Sequence, residues 1–120
     1  EDPYTFMPSP GLVDGYHPPG GLGVRVDSAI YDRYKIPPFY DSLIAKIIVR
    51  GNNRDEAIQK MLVALSECII GGVTTNMPLL RKILAHDEFI AGRVHTKLIE
   101  CMFEEEKKKS VELLVANSSN

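Results

Sequence analysis

Few side chains in this 120-residue chain have a type and spacing suited to chemistry, and most of them fall between Gly20 and Gly51. Arg25 comes first. Its planar fork of donors suits a carboxylate or a phosphate, and in an extended segment it shares a face with Asp27. The plainer use of the same group is an ion pair, with Asp27 or with a neighbouring protomer. Asp41 comes second, a short acid set between Tyr40 and Ser42 at the mouth of an apolar run, where it is easily aimed. Lys46 interrupts an apolar face between Ile44 and Ile48, either snorkelling to solvent or answering an acid from elsewhere. Tyr40 reads as a packing residue with a wet hydroxyl rather than as a proton donor.

The remaining reactive types are scattered. His17, His86 and His95 fall in different elements with no metal-ligand spacing. Cys68 and Cys101 lie in helical patterns without a Cys-x-x-Cys, and read as two reduced thiols of a cytoplasmic protein. Gly20, Gly21 and Gly23 are followed by no helix pattern, so they make a tight turn and not a phosphate loop. No lysine set for nucleotide phosphates and no paired acids for magnesium occur in the sequence.

Two strands must position Arg25 and Asp41. In the first, Val24 and Val26 share one face and Arg25 and Asp27 the other. In the second, Leu43, Ala45, Ile47 and Val49 line one face and Ile44, Lys46, Ile48 and Arg50 its reverse. Both faces are mostly apolar, which predicts a strand covered on both sides. Pro37 and Pro38 stiffen the connection and push Ile36 towards an extended conformation. Upstream, Pro8, Pro10 and Gly11 predict a turn, and Leu12 to His17 a short strand.

Helices dominate after Gly51. Asn53 is a suitable N-cap, with Asp55 at the positive end and Glu56 in capping-box position. Ala57, Ile58, Met61, Leu62, Leu65, Cys68 and Ile69 form one helical stripe, which Gly71-Gly72 stops. A brief extended piece at Val73–Thr75 leads to a second helix, capped by Asn76 with Pro78 in its first turn and Leu79, Leu80, Ile83 and Leu84 inward. Asp87 to Ile90 is a short helical turn closed by Gly92. The last helix starts after Thr96, with Leu98, Ile99, Met102 and Phe103 inward. Its Glu104–Lys108 and Glu105–Lys109 pairs then mark a solvated surface, and residues 117–120 are expected to fray.

Composition is that of one ordinary globular domain: 44% hydrophobic, 25% charged, net charge −2. That balance gives no case for nucleic acid or an anionic membrane as partner. No apolar run approaches the roughly 20 residues a membrane helix needs. The fold class expected is α+β, a small antiparallel sheet from the N-terminal half packed against about three helices from the C-terminal half. The division expected is a domain over 1–103 and a polar helical extension and tail over 104–120.

The run from Gly20 to Ile48 reads GGxGVRVDSxxYxxYxxPPxYDSLIxKxI, and in that form it resembles the C-terminal domain of biotin carboxylase, the ATP-grasp component of the biotin-dependent carboxylases. The resemblance extends to Glu1-Asp2-Pro3, Phe6 and Pro8–Gly11 before it, and to Asn53-Arg54-Asp55 and Gly72-Val73-Thr75-Asn76 after it. It covers roughly positions 1 to 100. It implies that Leu22 and Arg25 lie at a two-fold homodimer interface, though many relatives carry an aromatic where Leu22 stands. It implies that Asp41 lies near the biotin end of the active site, paired with an arginine from a preceding domain. It also implies that Glu1-Asp2-Pro3 closes an Arg-x-Asn-Ala-Glu-Asp-Pro motif whose arginine steadies the biotin enolate, so that the chain reads as a segment cut from something longer.

For the intact parent the resemblance implies an ATP-dependent ligase using Mg²⁺ and bicarbonate to carboxylate biotin on a carrier protein. The biotin carboxylase component of a bacterial acetyl-CoA carboxylase, active in fatty-acid synthesis, is the parent expected; a pyruvate or acyl-CoA carboxylase is the alternative. The partners implied are the upstream ATP-grasp portion, the biotin carboxyl carrier protein, a second copy and the carboxyltransferase. By itself this stretch carries no catalytic residue and would wall the biotin site. A non-catalytic docking or dimerisation module is the reading from a different class.

Overall fold

A computed structural model describes residues 1–119. Its longest ladder joins β3 (Val24–Ser28) to β5 (Ala45–Val49), antiparallel, with Val24 opposite Val49, Arg25 opposite Ile48 and Asp27 opposite Lys46. Arg50 donates its N–H to the Gly23 carbonyl at 2.8 Å and Ala29 to Ile44 at 3.0 Å, so the pairing continues past both ends of the strands. Ala45, Ile47 and Val49 are half-buried, and α1 (Arg54–Glu67) packs against β5. The opposite face is open: Lys46 is exposed and Ile48 is 45% exposed. The two-sided cover predicted for β5 is therefore absent among the described residues. The Ile44–Ile48 side packs under no second layer there.

Two further ladders are short. β1 (Gly11–Leu12) pairs antiparallel with β4 (Lys35–Ile36), and β2 (Tyr16–His17) with β6 (Ile69–Ile70). The expected α+β architecture holds, with the antiparallel pairing divided into three two-stranded ladders and one strand, β6, supplied from beyond the first helix.

β6 corrects the predicted helix boundary. α1 ends at Glu67, Cys68 is its extended C-cap, and Ile69, placed on the helical stripe by spacing, is an exposed strand residue. The competing principle is a ladder to Tyr16 and His17, which satisfies backbone groups that the β-branched pair would serve poorly in a helix. Gly71 and Gly72 then turn tightly over the segment between β1 and β2. A Cβ on Gly71 would strike the Asp14 carbonyl oxygen, and Gly72 has φ +83°.

α1 begins as its sequence dictates. The Asn53 side chain accepts the Glu56 N–H at 2.8 Å, and the Glu56 carboxylate accepts the Asn52 N–H at 3.3 Å. α2 (Met77–Ala85) differs. Pro78 sits in its first turn, but Asn76 at the cap position makes no side-chain cap bond. α3 (Asp87–Ile90) and α4 (Leu98–Ser118) complete the chain.

Glu1 to His86 cluster as one compact unit and the residues from Asp87 onward as another. Val13, Ile30, Ile58, Ala64, Leu65, Cys68 and Leu79 are the buried apolar residues of the first. Leu98 and Met102 are those of the second.

Candidate functional site

The loop that follows Pro37-Pro38 carries the candidate acid. Phe39 and Tyr40 are strongly exposed, Asp41 follows them, and Asp41 lies four residues ahead of β5. Asp41 borders three clefts. One, of about 210 Å³, is lined by Ile30, Tyr34, Ile36, Pro37, Tyr40 and Leu43 among others. A second lies between the Pro8–Pro10 stretch, Pro37-Pro38 and Val73-Thr74, and a third reaches Thr75 and Asn76. Apolar walls with one carboxylate at the rim are what a small ligand with a polar end would need. Among the described residues no hydrogen bond or ion pair reaches Asp41.

The N-terminal stretch is folded onto the same place. The Ser42 hydroxyl donates to the Glu1 carboxylate at 3.1 Å, and the Glu1 amino group donates to the Thr74 carbonyl at 3.2 Å. Thr74 in turn donates its N–H to the Ser9 hydroxyl at 3.0 Å. Asp2 accepts from the N–H groups of Tyr4 and Thr5 at 2.9 and 2.8 Å. Those donors, Thr5 first, hold its carboxyl below the usual carboxylate range. Lys82 donates to the Tyr4 hydroxyl at 3.1 Å and lies 5.2 Å from that ring's centroid. Spacing alone does not reveal the Glu1–Ser42 contact, because 41 positions separate the two.

Arg25 is away from this cleft, across the ladder from Ile48. Its fork lies on Asp27, with Nε and Nη2 each 3.0 Å from a carboxylate oxygen. That pairing raises the guanidinium pKa above its ordinary value. Both partners stay largely in water, so the pair adds little to stability. Lys46 stands across the ladder from Asp27, which places two cations about one acid on the open face. Leu22, in the turn before β3, is 95% exposed. The structure thus sets Leu22 and Arg25 on an uncovered surface and Asp41 at a cleft, and does not bring them together.

The other reactive types stay dispersed. His17 is exposed in β2, His86 caps α2, and the His95 ring accepts the Lys97 N–H at 3.2 Å through Nδ1. Among the described residues no group of three or more His, Cys, Asp or Glu could hold a metal ion. Cys68 is buried and Cys101 exposed, both as free thiols. Burial pushes the Cys68 thiol up, against a smaller opposing pull from Arg81. Arg81 also donates to the Leu65 carbonyl at the end of α1, a helix with no basic residue in its own last turn. That brace, from one helix to another's unpaired carbonyls, has no local sequence signature.

Comparison with known proteins gives the family and supports the fold. Residues 1–101 match the family described as the biotin carboxylase C-terminal domain. The chain is 57% identical over 96 residues to biotin carboxylase 1 of Bacillus subtilis, covering 80% of this chain and 21% of that protein. It is 52% identical over 95 residues to a pyruvate carboxylase subunit of Methanothermobacter thermautotrophicus, covering 79% of this chain and 19% of that one. Among solved structures it resembles the biotin carboxylase domain dimer of Hydrogenobacter thermophilus 2-oxoglutarate carboxylase, in complex with MgADP, ADP and bicarbonate. The TM-score is 0.81 at 42% identity, over 83% of this chain and 22% of that one. The chain therefore spans about a fifth of the length of these relatives.

Proposed function

Because the chain belongs to the biotin carboxylase C-terminal domain family, we propose that it forms the C-terminal part of an ATP-dependent ligase that carboxylates biotin on a carrier protein with bicarbonate. The observation that carries this reading is the family match over residues 1–101. The MgADP and bicarbonate in the complex of the Hydrogenobacter domain support the same cofactors for the parent, with biotin on its carrier as acceptor. The described residues offer no metal-ligand group for Mg²⁺. ATP and its metal are assigned to an upstream ATP-grasp portion, as the family resemblance implies.

The work left to this domain is positional. Asp41, at the rim of clefts walled by Pro37, Ile36 and Ile44, would face the biotin end of the site and hold a cationic side chain of the preceding domain in register. A carboxylate without a partner of its own is free to do so. Leu22 and Arg25 would lie in a homodimer contact on the open side of β3. The parent proposed is the cytoplasmic biotin carboxylase component of an acetyl-CoA carboxylase, working in fatty-acid synthesis with a carrier protein and a carboxyltransferase. No helix of the described residues is long and apolar enough to cross a membrane. The 52% identity to a pyruvate carboxylase component favours a second reading, the same half-reaction serving pyruvate.

The test is ADP release by the chain restored to its upstream portion, with and without free biotin and bicarbonate. Release that requires both supports the ligase. A folded parent indifferent to biotin leaves the non-catalytic module instead. Adding purified carboxyltransferases in turn, and asking which acyl acceptor is carboxylated, separates acetyl-CoA from pyruvate.

A further inference from the structure

The loop that presents Asp41 hangs from a single polar contact. It runs from Pro37 to Leu43, between the ladder residue Ile36 and the Ile44 carbonyl, which accepts the Ala29 N–H. Its two prolines bring no N–H donor. None of its other backbone groups has a hydrogen-bond partner among the described residues. Its side chains make one such bond there, from the Ser42 hydroxyl to the Glu1 carboxylate at 3.1 Å, and that bond is partly buried. Pro37 and Pro38 stiffen the entry to the loop, so the freedom that remains lies in residues 39–43.

The other side of the contact is fixed independently. The Glu1 main-chain nitrogen donates to the Thr74 carbonyl at 3.2 Å, and Thr74 is itself held by the Ser9 hydroxyl. Directly after Glu1, the Asp2 N–H donates to the Met7 carbonyl, while the Asp2 carboxylate accepts from Tyr4 and Thr5. Glu1 is therefore the anchored partner and the loop is the part it steadies. The bond also lies beside the acid, since Glu1, Asp41 and Ser42 line the same two clefts.

We propose that Ser42 is a positioning residue, which by its hydrogen bond to Glu1 holds the loop so that the Asp41 carboxylate stays at the cleft rim. What Asp41 faces there, the biotin end of the site, rests on the function proposed above. The hold on the loop does not.

Two measurements test the two parts separately. Phe39 and Tyr40 are 87% and 79% exposed, so chymotrypsin can report on the loop of the 120-residue chain, with the cut bonds mapped by mass spectrometry. Cleavage after these two residues should be several-fold faster in Ser42→Ala and in Glu1→Ala than in the unaltered chain, at an unchanged urea midpoint. Ser42→Thr, which keeps the hydroxyl, should restore the slow rate. In the intact parent, Ser42→Ala should raise the biotin concentration needed for half-maximal ADP release by roughly three- to tenfold, the loss of one hydrogen bond, and leave the ATP requirement unmoved. It should add nothing to Asp41→Ala, because both act through the same carboxylate.

Cleavage indifferent to both alanine substitutions would overturn the proposal, whatever the parent does. Faster cleavage with an unmoved biotin requirement, or full additivity with Asp41→Ala, would overturn the positioning of Asp41. A parent that ignores biotin while Ser42→Ala still speeds cleavage would overturn the proposed reaction and support the hold of Ser42 on the loop.

Discussion

Asp41 is an acid held at a rim with no counter-charge from the described residues, and that arrangement decides how it should be tested. Asp41→Ala in the intact parent should raise the biotin concentration needed for half-maximal ADP release more than the ATP concentration needed. Steady-state kinetics with each substrate varied in turn separates this from plain destabilisation, which moves both together. Cys68 calls for a different measurement. Its thiol pKa is raised by burial, so the stability it contributes is fully present below the ordinary thiol value and is lost as pH climbs through the folded one. The midpoint of thermal unfolding should therefore fall above about pH 9, and should fall less in Cys68→Ala. Alkylation at neutral pH should label Cys101 and spare Cys68 until the chain unfolds.

Between elements, local signals are readable and distant ones are not. Asn53 and Glu56 announce the start of α1 because both partners of a capping box lie within one turn. Asn53→Ala should cost about 1 kcal/mol, read as a lower urea midpoint at unchanged slope. Asn76 has the same residue type and makes no such bond, since residue type records a capability and not its use. β6 is hidden because Ile69 continues the helical stripe of α1, and the Tyr16–His17 strand that claims it is some fifty positions away. The Glu1–Ser42 and Arg81–Leu65 contacts escape sequence reading for the same reason. The acid at Asp41 and the fork at Arg25 are legible from their neighbours; that Arg25 closes on Asp27 is one of two open uses of the pair. The turn after β6 has its own prediction. Gly71→Ala should strongly destabilise the unit, because its Cβ would strike the Asp14 carbonyl, whereas Gly20→Ala, with no atom within 4 Å, should be nearly neutral in denaturant melts.

Across the whole molecule, two exposed surfaces differ in kind. The open side of β3 and β5 is small and charged, with Arg25, Asp27 and Lys46 together, and the end of α4 is helical and apolar. Arg25→Glu in the parent should weaken the proposed dimer by placing a carboxylate beside Asp27, and sedimentation showing unchanged association would remove Arg25 from that contact.

The seating of Glu1 has a wider consequence. Its carboxylate meets Ser42, the neighbour of Asp41, and its amino group meets Thr74 on the cleft wall. Anything joined ahead of Glu1 would thus emerge beside clefts that Asp41 also lines. A short tether of that kind holds a neighbouring domain at an effective concentration on the order of millimolar. Supplying the upstream portion as a separate chain would forfeit that proximity. A split pair should then recover activity only at high concentration, while a tag fused at residue 1 would crowd the cleft that a tag at the far end leaves open.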